Sequence, residues 1–224
     1  MKNFKVRIVS MLMIMVLCMN IALPNAALAD EYSNTIYIRS AEDLIALAKK
    51  SSFDTWSRGK TVILTNDIDL SGIEFTPIPT FGGIFDGQGY TIRGLSLTDY
   101  NSPQGLFRYI QEGALVKNLT VKGTVTPEGE KITVGGVAGS NSGIILNCNF
   151  IGRIRGDKYV GGIAGINEAK GLISNSFVQG VIYGEHYVGG IAGENLGKIL
   201  LSNNKAHINT IVTEHSLDLE DIQS

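Results

Sequence analysis

A six-residue motif recurs along this chain at nearly constant spacing, and this repeat is the strongest constraint on the fold. It reads VGGVAG at 134–139, VGGIAG at 160–165 and VGGIAG at 188–193, so successive copies begin 26 and 28 residues apart. A unit of this length cannot bury a core alone, and such units become stable only when neighbouring copies stack on one another. The repeat therefore predicts a stacked, quasi-one-dimensional array.

The similarity between copies extends well beyond the motif. GDKYVGGIAGIN at 156–167 matches GEHYVGGIAGEN at 184–195. The preceding segments also correspond, because GIILNCNFIG at 143–152 aligns with GLISNSFVQG at 171–180. Both the motif and its flanks therefore belong to one structural unit.

Two weaker copies flank the clear ones. The copy at 197–206 has Leu201 in place of an Asn and Ala206 in place of the last Gly, and a looser copy begins at Gly113. We therefore expect repeat units at about 113–142, 143–170, 171–196 and 197–212. The positions expected to recur for structural reasons are Gly135, Gly136, Gly139, Asn147, Gly161, Gly162, Gly165, Asn175, Gly189, Gly190 and Gly193.

The composition of each repeat favours strands. Runs of three to five β-favouring residues alternate with Gly, Asn or Asp, and no apolar pattern of helical period is present. The 27 glycines suit a chain that must turn a corner several times per coil, because a corner needs positive φ or close backbone approach. We therefore predict an all-β solenoid in which each short strand pairs with the same strand of the coils above and below.

Stacked coils place equivalent side chains in columns, and two columns can be predicted. One interior column comprises Leu119, Cys148, Ser176 and Ser202. The other is a ladder of Asn118, Asn147 and Asn175, whose amides we expect to hydrogen-bond between coils at a buried turn. Because Cys148 recurs as Ser in this column, we interpret it as a packed interior residue and not an activated thiolate.

The segment before the repeats is interpreted as a cap. Ser40 and Asp43 form an S-x-x-D capping box that opens a short helix ending near Lys50. One face of this helix is apolar, with Leu44, Ile45, Leu47 and Ala48. A solenoid needs its first coil covered, so we assign 30–60 to a cap and 61–212 to the solenoid, with strand-like residues at 61–64 and within 81–97.

The first 29 residues predict a Sec-type signal peptide. Lys2, Lys5 and Arg7 precede an apolar run over 8–23, and Ala-Leu-Ala at 27–29 fits a cleavage site after Ala29. The alternative is an uncleaved membrane anchor. Cleavage would remove three basic and no acidic residues, so the formal net charge would change from −2 to −5 and one cysteine would remain. This predicts a secreted or cell-surface bacterial protein without an intramolecular disulfide.

The stretch from 38 to 97, containing IRSAEDLIALAKK, GKTVILTNDIDLSG and FTPIPTFGGIFDGQGYTIRGLSL, resembles the opening of pectin-lyase-like bacterial surface proteins. The VGGIAG…N…G repeats are similar to the GLUG motif, which also occurs in the non-catalytic N-terminal region of streptococcal immunoglobulin A peptidases. The resemblance implies a right-handed parallel β-helix with a short N-terminal capping helix. It implies architecture and no particular reaction.

The pectin-lyase-like fold also hosts polysaccharide lyases and hydrolases, which need clustered carboxylates and a base. The candidates for such a catalytic or cation site are Asp67, Asp69 and Asp86, with Arg93, Arg153 and Arg155 as basic residues. The alternative is that these acids satisfy backbone donors in turns. The chain lacks the HExxH motif of the peptidases, and His186, His207 and His215 have no ligand spacing, so we expect no metal and no cofactor.

Tyr159 and Tyr187 occupy one repeat column beside the polar pairs Asp157-Lys158 and Glu185-His186, which suggests an exposed binding strip. The alternative is that both rings pack on the neighbouring coil. The expected partner is a host or cell-surface protein or a glycan. Nucleic acid is not expected, because 19 Lys and Arg face 21 Asp and Glu, and no membrane contact is expected after signal cleavage.

The sequence thus predicts an exported, non-enzymatic β-helix module for surface binding, adhesion or spacing. One alternative is a carbohydrate-active enzyme on acidic polysaccharide, and another is the N-terminal module of a larger surface protease or adhesin. The acidic segment 213–224 is expected to be a tail. The sequence leaves the oligomeric state open.

Overall fold

The computed structural model describes residues 34–129, 132–200 and the backbone of 205–212. The predicted signal peptide and the acidic segment 213–224 lie outside these residues. The described part contains one helix and 19 short strands. The elements are β1 (Thr35–Ile38), α1 (Ala41–Lys50), β2 (Thr61–Leu64), β3 (Ile68–Asp69), β4 (Ile78–Phe81), β5 (Ile84–Asp86), β6 (Thr91–Leu97), β7 (Phe107–Ile110), β8 (Leu115–Val125), β9 (Val134–Gly135), β10 (Ala138–Asn141), β11 (Ile144–Arg155), β12 (Lys158–Gly161), β13 (Ala164–Asn167), β14 (Leu172–Ser174), β15 (Phe177–Tyr183), β16 (His186–Gly189), β17 (Ala192–Asn195), β18 (Lys198–Leu200) and β19 (Lys205–Val212).

The strands form three parallel sheets, and each strand pairs with its counterpart one coil away. The first sheet runs β1-β2-β5-β8-β11-β14-β18 and is extended by β3, β6, β15 and β19. The second runs β4-β7-β10-β13-β17, and the third runs β9-β12-β16. All described pairings are parallel, such as Val160 with Val134 on one side and Val188 on the other. The predicted all-β parallel β-helix is therefore confirmed.

The VGGxAG motif forms the corner between the third and second sheets. Its Val is buried in the third sheet and its Ala in the second, and the two glycines lie between them. A methyl group on Gly161 would overlap the carbonyl oxygen of Ala164, and one on Gly162 would overlap the carbonyl oxygen of Gly190 in the next coil. Close backbone approach, and not positive φ, therefore requires glycine at this corner.

The interior of the solenoid is a thin apolar core built from columns of inward-facing side chains. One column contains Phe85, Val116, Ile145 and Ile173, and another contains Ile92, Val121, Phe150 and Val178. Phe81, Phe85 and Phe107 pack edge-on or tilted, with ring centroids 5.3–6.0 Å apart. Such stacking buries the apolar face that one repeat could not bury alone.

Helix α1 covers the first coil, as predicted. The Ser40 hydroxyl accepts a hydrogen bond from the backbone N–H of Asp43 at 3.3 Å, and the Asp43 carboxylate accepts one from the backbone N–H of Arg39 at 2.8 Å. Leu44 and Leu47 are buried and join the core that also contains Leu64. The helix therefore protects the apolar end of the stack from water.

The last coil corrects one part of the repeat alignment. Ser174 pairs with Leu200, 26 residues later, but Val178 pairs with Ala206, 28 residues later. Ala206 therefore does not occupy the position of Gly180, whose partner is Ile208. The two extra residues fall between β18 and β19, and Leu201 and Ser202 lie outside the described residues.

Candidate functional site

The predicted hydrogen bond between corner asparagines is present between Asn147 and Asn118, but the predicted burial of this column is wrong. Asn118, Asn147 and Asn175 all adopt left-handed backbone, with φ of 54°, 54° and 53°. The Asn147 side-chain amide donates to the Asn118 side-chain oxygen at 2.9 Å. Asn147 and Asn175 are nevertheless exposed, because the left-handed corner directs these side chains outward. We call this set the corner ladder.

The residue after each corner asparagine points into the core. Leu119, Cys148 and Ser176 are buried, which confirms their predicted interior column. The Cys148 thiol donates to the carbonyl oxygen of Leu146 at 3.5 Å, and the Ser176 hydroxyl donates to that of Ser174 at 3.1 Å. Burial raises the pKa of Cys148 to about 12, so the thiol stays protonated and is not a nucleophile.

A second asparagine ladder lies inside the protein, and the sequence analysis missed it. The Asn141 amide donates to the Asn167 side-chain oxygen, and the Asn167 amide donates to that of Asn195, each at 2.8 Å. Asn141 and Asn167 have no exposed surface, whereas Asn195 is exposed. All three lie two positions after a VGGxAG motif, and the aligned segments 156–167 and 184–195 both end on this asparagine, but its recurrence alone did not show that it faces inward. We call this set the buried ladder.

The buried ladder also satisfies backbone groups at the turn that follows it. The Asn141 side-chain oxygen accepts from the N–H of Gly143 at 3.2 Å, and its amide donates to the carbonyl oxygen of Gly143 at 3.3 Å. The Asn167 amide similarly donates to the carbonyl oxygen of Gly171 at 3.3 Å. The N–H of Gly143 thus finds its acceptor in Asn141, while the carbonyl oxygens of Gly143 and Gly171 also accept from the backbone N–H groups of Leu172 and Lys198, each at 2.9 Å.

The candidate carboxylates Asp67 and Asp69 are both exposed on either side of buried Ile68, so they share a face as predicted. The Asp67 carboxylate accepts from the backbone N–H of Thr91 at 2.8 Å. The Asp69 carboxylate accepts from the N–H of Ser71 at 2.9 Å and pairs with Arg93 at 2.9 Å. Hydrogen bonds from Ser71, then from Arg93, lower the pKa of Asp69 to about 2.

Asp86 is buried and contacts the first asparagine of the corner ladder. Its carboxylate accepts from the N–H of Gln88 at 3.0 Å and the Asn118 amide at 3.1 Å, and it pairs with the Lys117 ammonium at 3.0 Å. Burial alone would raise its pKa, but the hydrogen bonds from Gln88, Lys117 and Asn118 outweigh this effect and hold the pKa below its ordinary value. Asp86 thus anchors the first corner asparagine.

The contacts of these three acids bind them to their own backbone or to neighbouring coils. Within the described ranges, no three His, Cys, Asp or Glu side chains are grouped so that they could hold a metal ion. Arg153 and Arg155 are exposed, but their partners one coil later are Val181 and Tyr183. The two arginines therefore do not continue as a basic stripe onto the next coil.

Tyr159 and Tyr187 are brought together across adjacent coils. Their rings stack with centroids 5.0 Å apart and an interplanar angle of 24°. The Lys158 ammonium lies 4.7 Å from the Tyr159 centroid and 5.5 Å from the Tyr187 centroid. The rings do pack across coils, as the alternative interpretation expected, yet 49% of Tyr187 stays exposed. We call the two rings and Lys158 the tyrosine platform.

Comparison with known proteins gives two distant similarities. The chain is 30% identical over 154 residues to halomucin of Haloquadratum walsbyi, an alignment that covers 61% of this chain and 2% of that protein. It is 40% identical over 91 residues to a putative Gly-rich membrane protein of Evansella cellulosilytica, covering 38% of this chain and 10% of that protein. The chain thus spans a small fraction of the length of either relative.

No family model matches the chain, and no solved structure matches it significantly. In the part of the chain that the structure describes, no helix has both the length and the apolar character needed to cross a bilayer. The β-solenoid fold itself fits a structural or surface module.

Proposed function

We propose that this chain is an exported, non-enzymatic β-helix module that acts at a bacterial surface as a binding or spacing element. The observation that carries the proposal is the use of the recurring residues. The motif glycines form tight corners, the buried asparagines join coils, and the corner asparagines set left-handed turns. The residues that recur from coil to coil therefore stabilise the stacking of coils, and we assign them a structural role and not a catalytic one.

Two further observations support a surface role. The repeats resemble the GLUG motif of exported bacterial proteins, and the predicted leader at 1–29 would direct the chain out of the cytoplasm. One relative is a putative membrane protein by name, and the other is a halomucin. We infer a secreted or cell-surface location, with a protein or glycan as the partner.

The competing function is a polysaccharide lyase or hydrolase that uses Asp67, Asp69 and Asp86. Against it stand the contacts of these groups, since Asp69 is paired with Arg93 and Asp86 with Lys117. A general acid or base must be able to exchange a proton near the working pH, whereas the pKa values of Asp69 and Asp86 are both lowered. We therefore favour the non-enzymatic role.

Two measurements test the proposal. Cell fractionation with intact-mass analysis should find the chain outside the cytoplasm and beginning at Asp30. Incubation with polygalacturonate, with and without Ca²⁺, should release neither unsaturated products nor reducing ends. A cytoplasmic chain that retains Met1 would overturn export, and product release that is lost in Asp69→Asn would overturn the non-enzymatic role.

A further inference from the structure

We propose that the tyrosine platform is a binding site for a neutral glycan, whose C–H face lies against the exposed surface of the Tyr187 ring. This inference rests on the proposed function of the chain as a surface binding module. It adds the place of contact and the chemical class of the ligand.

The backbone at the platform is the first argument. Tyr159 and Tyr187 both have φ of 51°, a left-handed conformation that is strained for a bulky side chain. The corner ladder shows that asparagine serves such a corner readily in this same solenoid, as at Asn147 and Asn175. The chain nevertheless has tyrosine in both coils, so the aromatic ring is the feature that this position provides.

The arrangement of the rings is the second argument. Stacking at 5.0 Å and the Lys158 ammonium over both rings fix the orientation of the platform before any ligand arrives. A fixed aromatic surface loses little conformational entropy on binding. Tyr187 keeps about half of its surface exposed, at 49%, despite these contacts, which leaves aromatic surface for a ligand.

The charges around the platform select a neutral ligand. Lys158 is the cation beside the two rings, and Glu194 is close enough to act on its charge. Asp157 and Glu185 flank the two tyrosine corners in the sequence. With charges of both signs beside the rings, an acidic polymer gains little net attraction, whereas a neutral sugar offers C–H groups to the negative ring face and hydroxyls to both signs of charge.

The test is native affinity electrophoresis of the full chain in gels that contain one polysaccharide each. The neutral probes are hydroxyethyl cellulose, xyloglucan, galactomannan and soluble starch, and the acidic probe is polygalacturonate. We expect at least one neutral probe to retard the chain, and the retardation should persist in about 0.5 M NaCl because neutral contacts are not screened.

Matched variants locate the contact. Tyr187→Asn keeps a residue that tolerates the left-handed corner but removes the ring, so it should weaken binding by roughly tenfold or more. Tyr187→Phe keeps the ring and should stay within about threefold of the wild type. Tyr109→Thr removes a tyrosine of nearly equal exposure, 48%, from the outer face of β7 and should bind as the wild type does.

The proposal is overturned if no neutral probe retards the chain, if only polygalacturonate does so, or if Tyr187→Asn binds as well as the wild type. These failures are distinct from failure of the proposed function. An exported chain that releases no product but ignores neutral glycans would retain the surface role and lose this site. Circular dichroism of each variant should match the wild type, so that lost binding reports the platform and not unfolding.

Discussion

The two asparagine ladders run along the same solenoid with the same period, yet they use the side chain for different purposes. In the corner ladder, Asn147 is exposed, and its main role is to adopt the left-handed φ of 54° that the corner requires. In the buried ladder, Asn167 has no exposed surface and joins three coils through its side-chain hydrogen bonds. The comparison teaches that recurrence of one residue type identifies a column but not its physical role.

The two roles make different demands on substitutions. A residue chosen for its backbone conformation can be replaced by another that accepts the same φ, and glycine is the obvious one. A residue that is required for its buried hydrogen bonds cannot be replaced in this way, because any substitution that removes its amide takes hydrogen bonds from its partners, regardless of the backbone conformation.

The largest effect is expected for Asn167→Ala. The substitution removes the donor to Asn195 and one of the two donors to the carbonyl oxygen of Gly171, and it removes one of the two acceptors of the Asn141 amide. A fully buried side chain thus loses its hydrogen bonds to the coils on both sides, so the free energy of unfolding should fall by about 2–3 kcal/mol. Equilibrium unfolding in urea measures this loss.

Asn167→Gly is the matched control, because it removes the same hydrogen bonds while allowing any backbone conformation. It should destabilise the protein at least as much as Asn167→Ala. A loss below about 1 kcal/mol for both variants would show that the buried ladder contributes no more than an ordinary surface residue.

A smaller effect is expected for Asn147→Ala in the corner ladder. Alanine is disfavoured at φ of 54°, and the hydrogen bond to Asn118 is lost, so we expect a cost of about 1–2 kcal/mol. Asn147→Gly loses the same hydrogen bond, but the backbone strain is absent, so it should lie within about 0.5 kcal/mol of the wild type. Thermal and urea unfolding of the pair would sharpen the comparison, and equal costs for Ala and Gly would contradict it.

The ladders should also differ in their response to acid. The corner ladder is anchored on Asp86, and the pKa of this carboxyl is lowered in the folded protein. The Asp86 carboxylate therefore contributes its full stabilisation above the pKa of an unfolded Asp, about 3.9. This stabilisation is lost as the pH falls through the lower pKa of the folded protein. The stability difference between the wild type and Asp86→Asn should therefore narrow between pH 7 and about pH 3.

Asn167→Ala supplies the reference for this titration, since the buried ladder consists of amides that do not titrate. Its cost should be the same at both pH values when unfolding is followed by fluorescence or circular dichroism. A difference for Asp86→Asn that stays constant down to low pH would mean that its carboxylate does not anchor the corner.

The smallest effect is expected for Cys148→Ser, at the residue that follows the Asn147 corner. The structure already accommodates Ser176 in the same column, where its hydroxyl donates to the carbonyl oxygen of Ser174. Serine at 148 can make the equivalent bond to Leu146, so the cost should be about 1 kcal/mol or less. In the wild type, burial and a pKa of about 12 should keep the thiol unreactive towards iodoacetamide until the protein unfolds, which mass spectrometry can follow.

Much of the fold could be predicted because its causes are local or repetitive. The capping box placed Ser40 at the start of α1, and the repeat placed Cys148 and Ser176 in one interior column. The alignment failed after Leu200, where two extra residues change the register of β19. The register of a strand depends on its pairing with the preceding coil, and the residues of the last coil alone do not determine that pairing.

The candidate site likewise combines features that the sequence predicted with features that it did not predict. The sequence placed Tyr159 and Tyr187 in one column, but it did not predict their left-handed backbone or the position of Lys158 over both rings. It also named Asp67, Asp69 and Asp86 as candidates, with Arg93 among the basic residues, but it did not predict which groups pair. Arg93 and Lys117 lie 24 and 31 residues further along the chain, one coil away, so only the stacked structure brings them into contact.

The sequence by itself determined that this chain stacks short strands with a period near 28 residues, has a capped helix ahead of the repeats and turns at glycines and asparagines. The tertiary structure decided which asparagines face inward. Side-chain direction depends on the φ at each corner and on what the next coil offers as a partner, and both are properties of the assembled stack. Identical residues at identical spacing therefore became an exposed corner in one column and a buried hydrogen-bonded connection in the other.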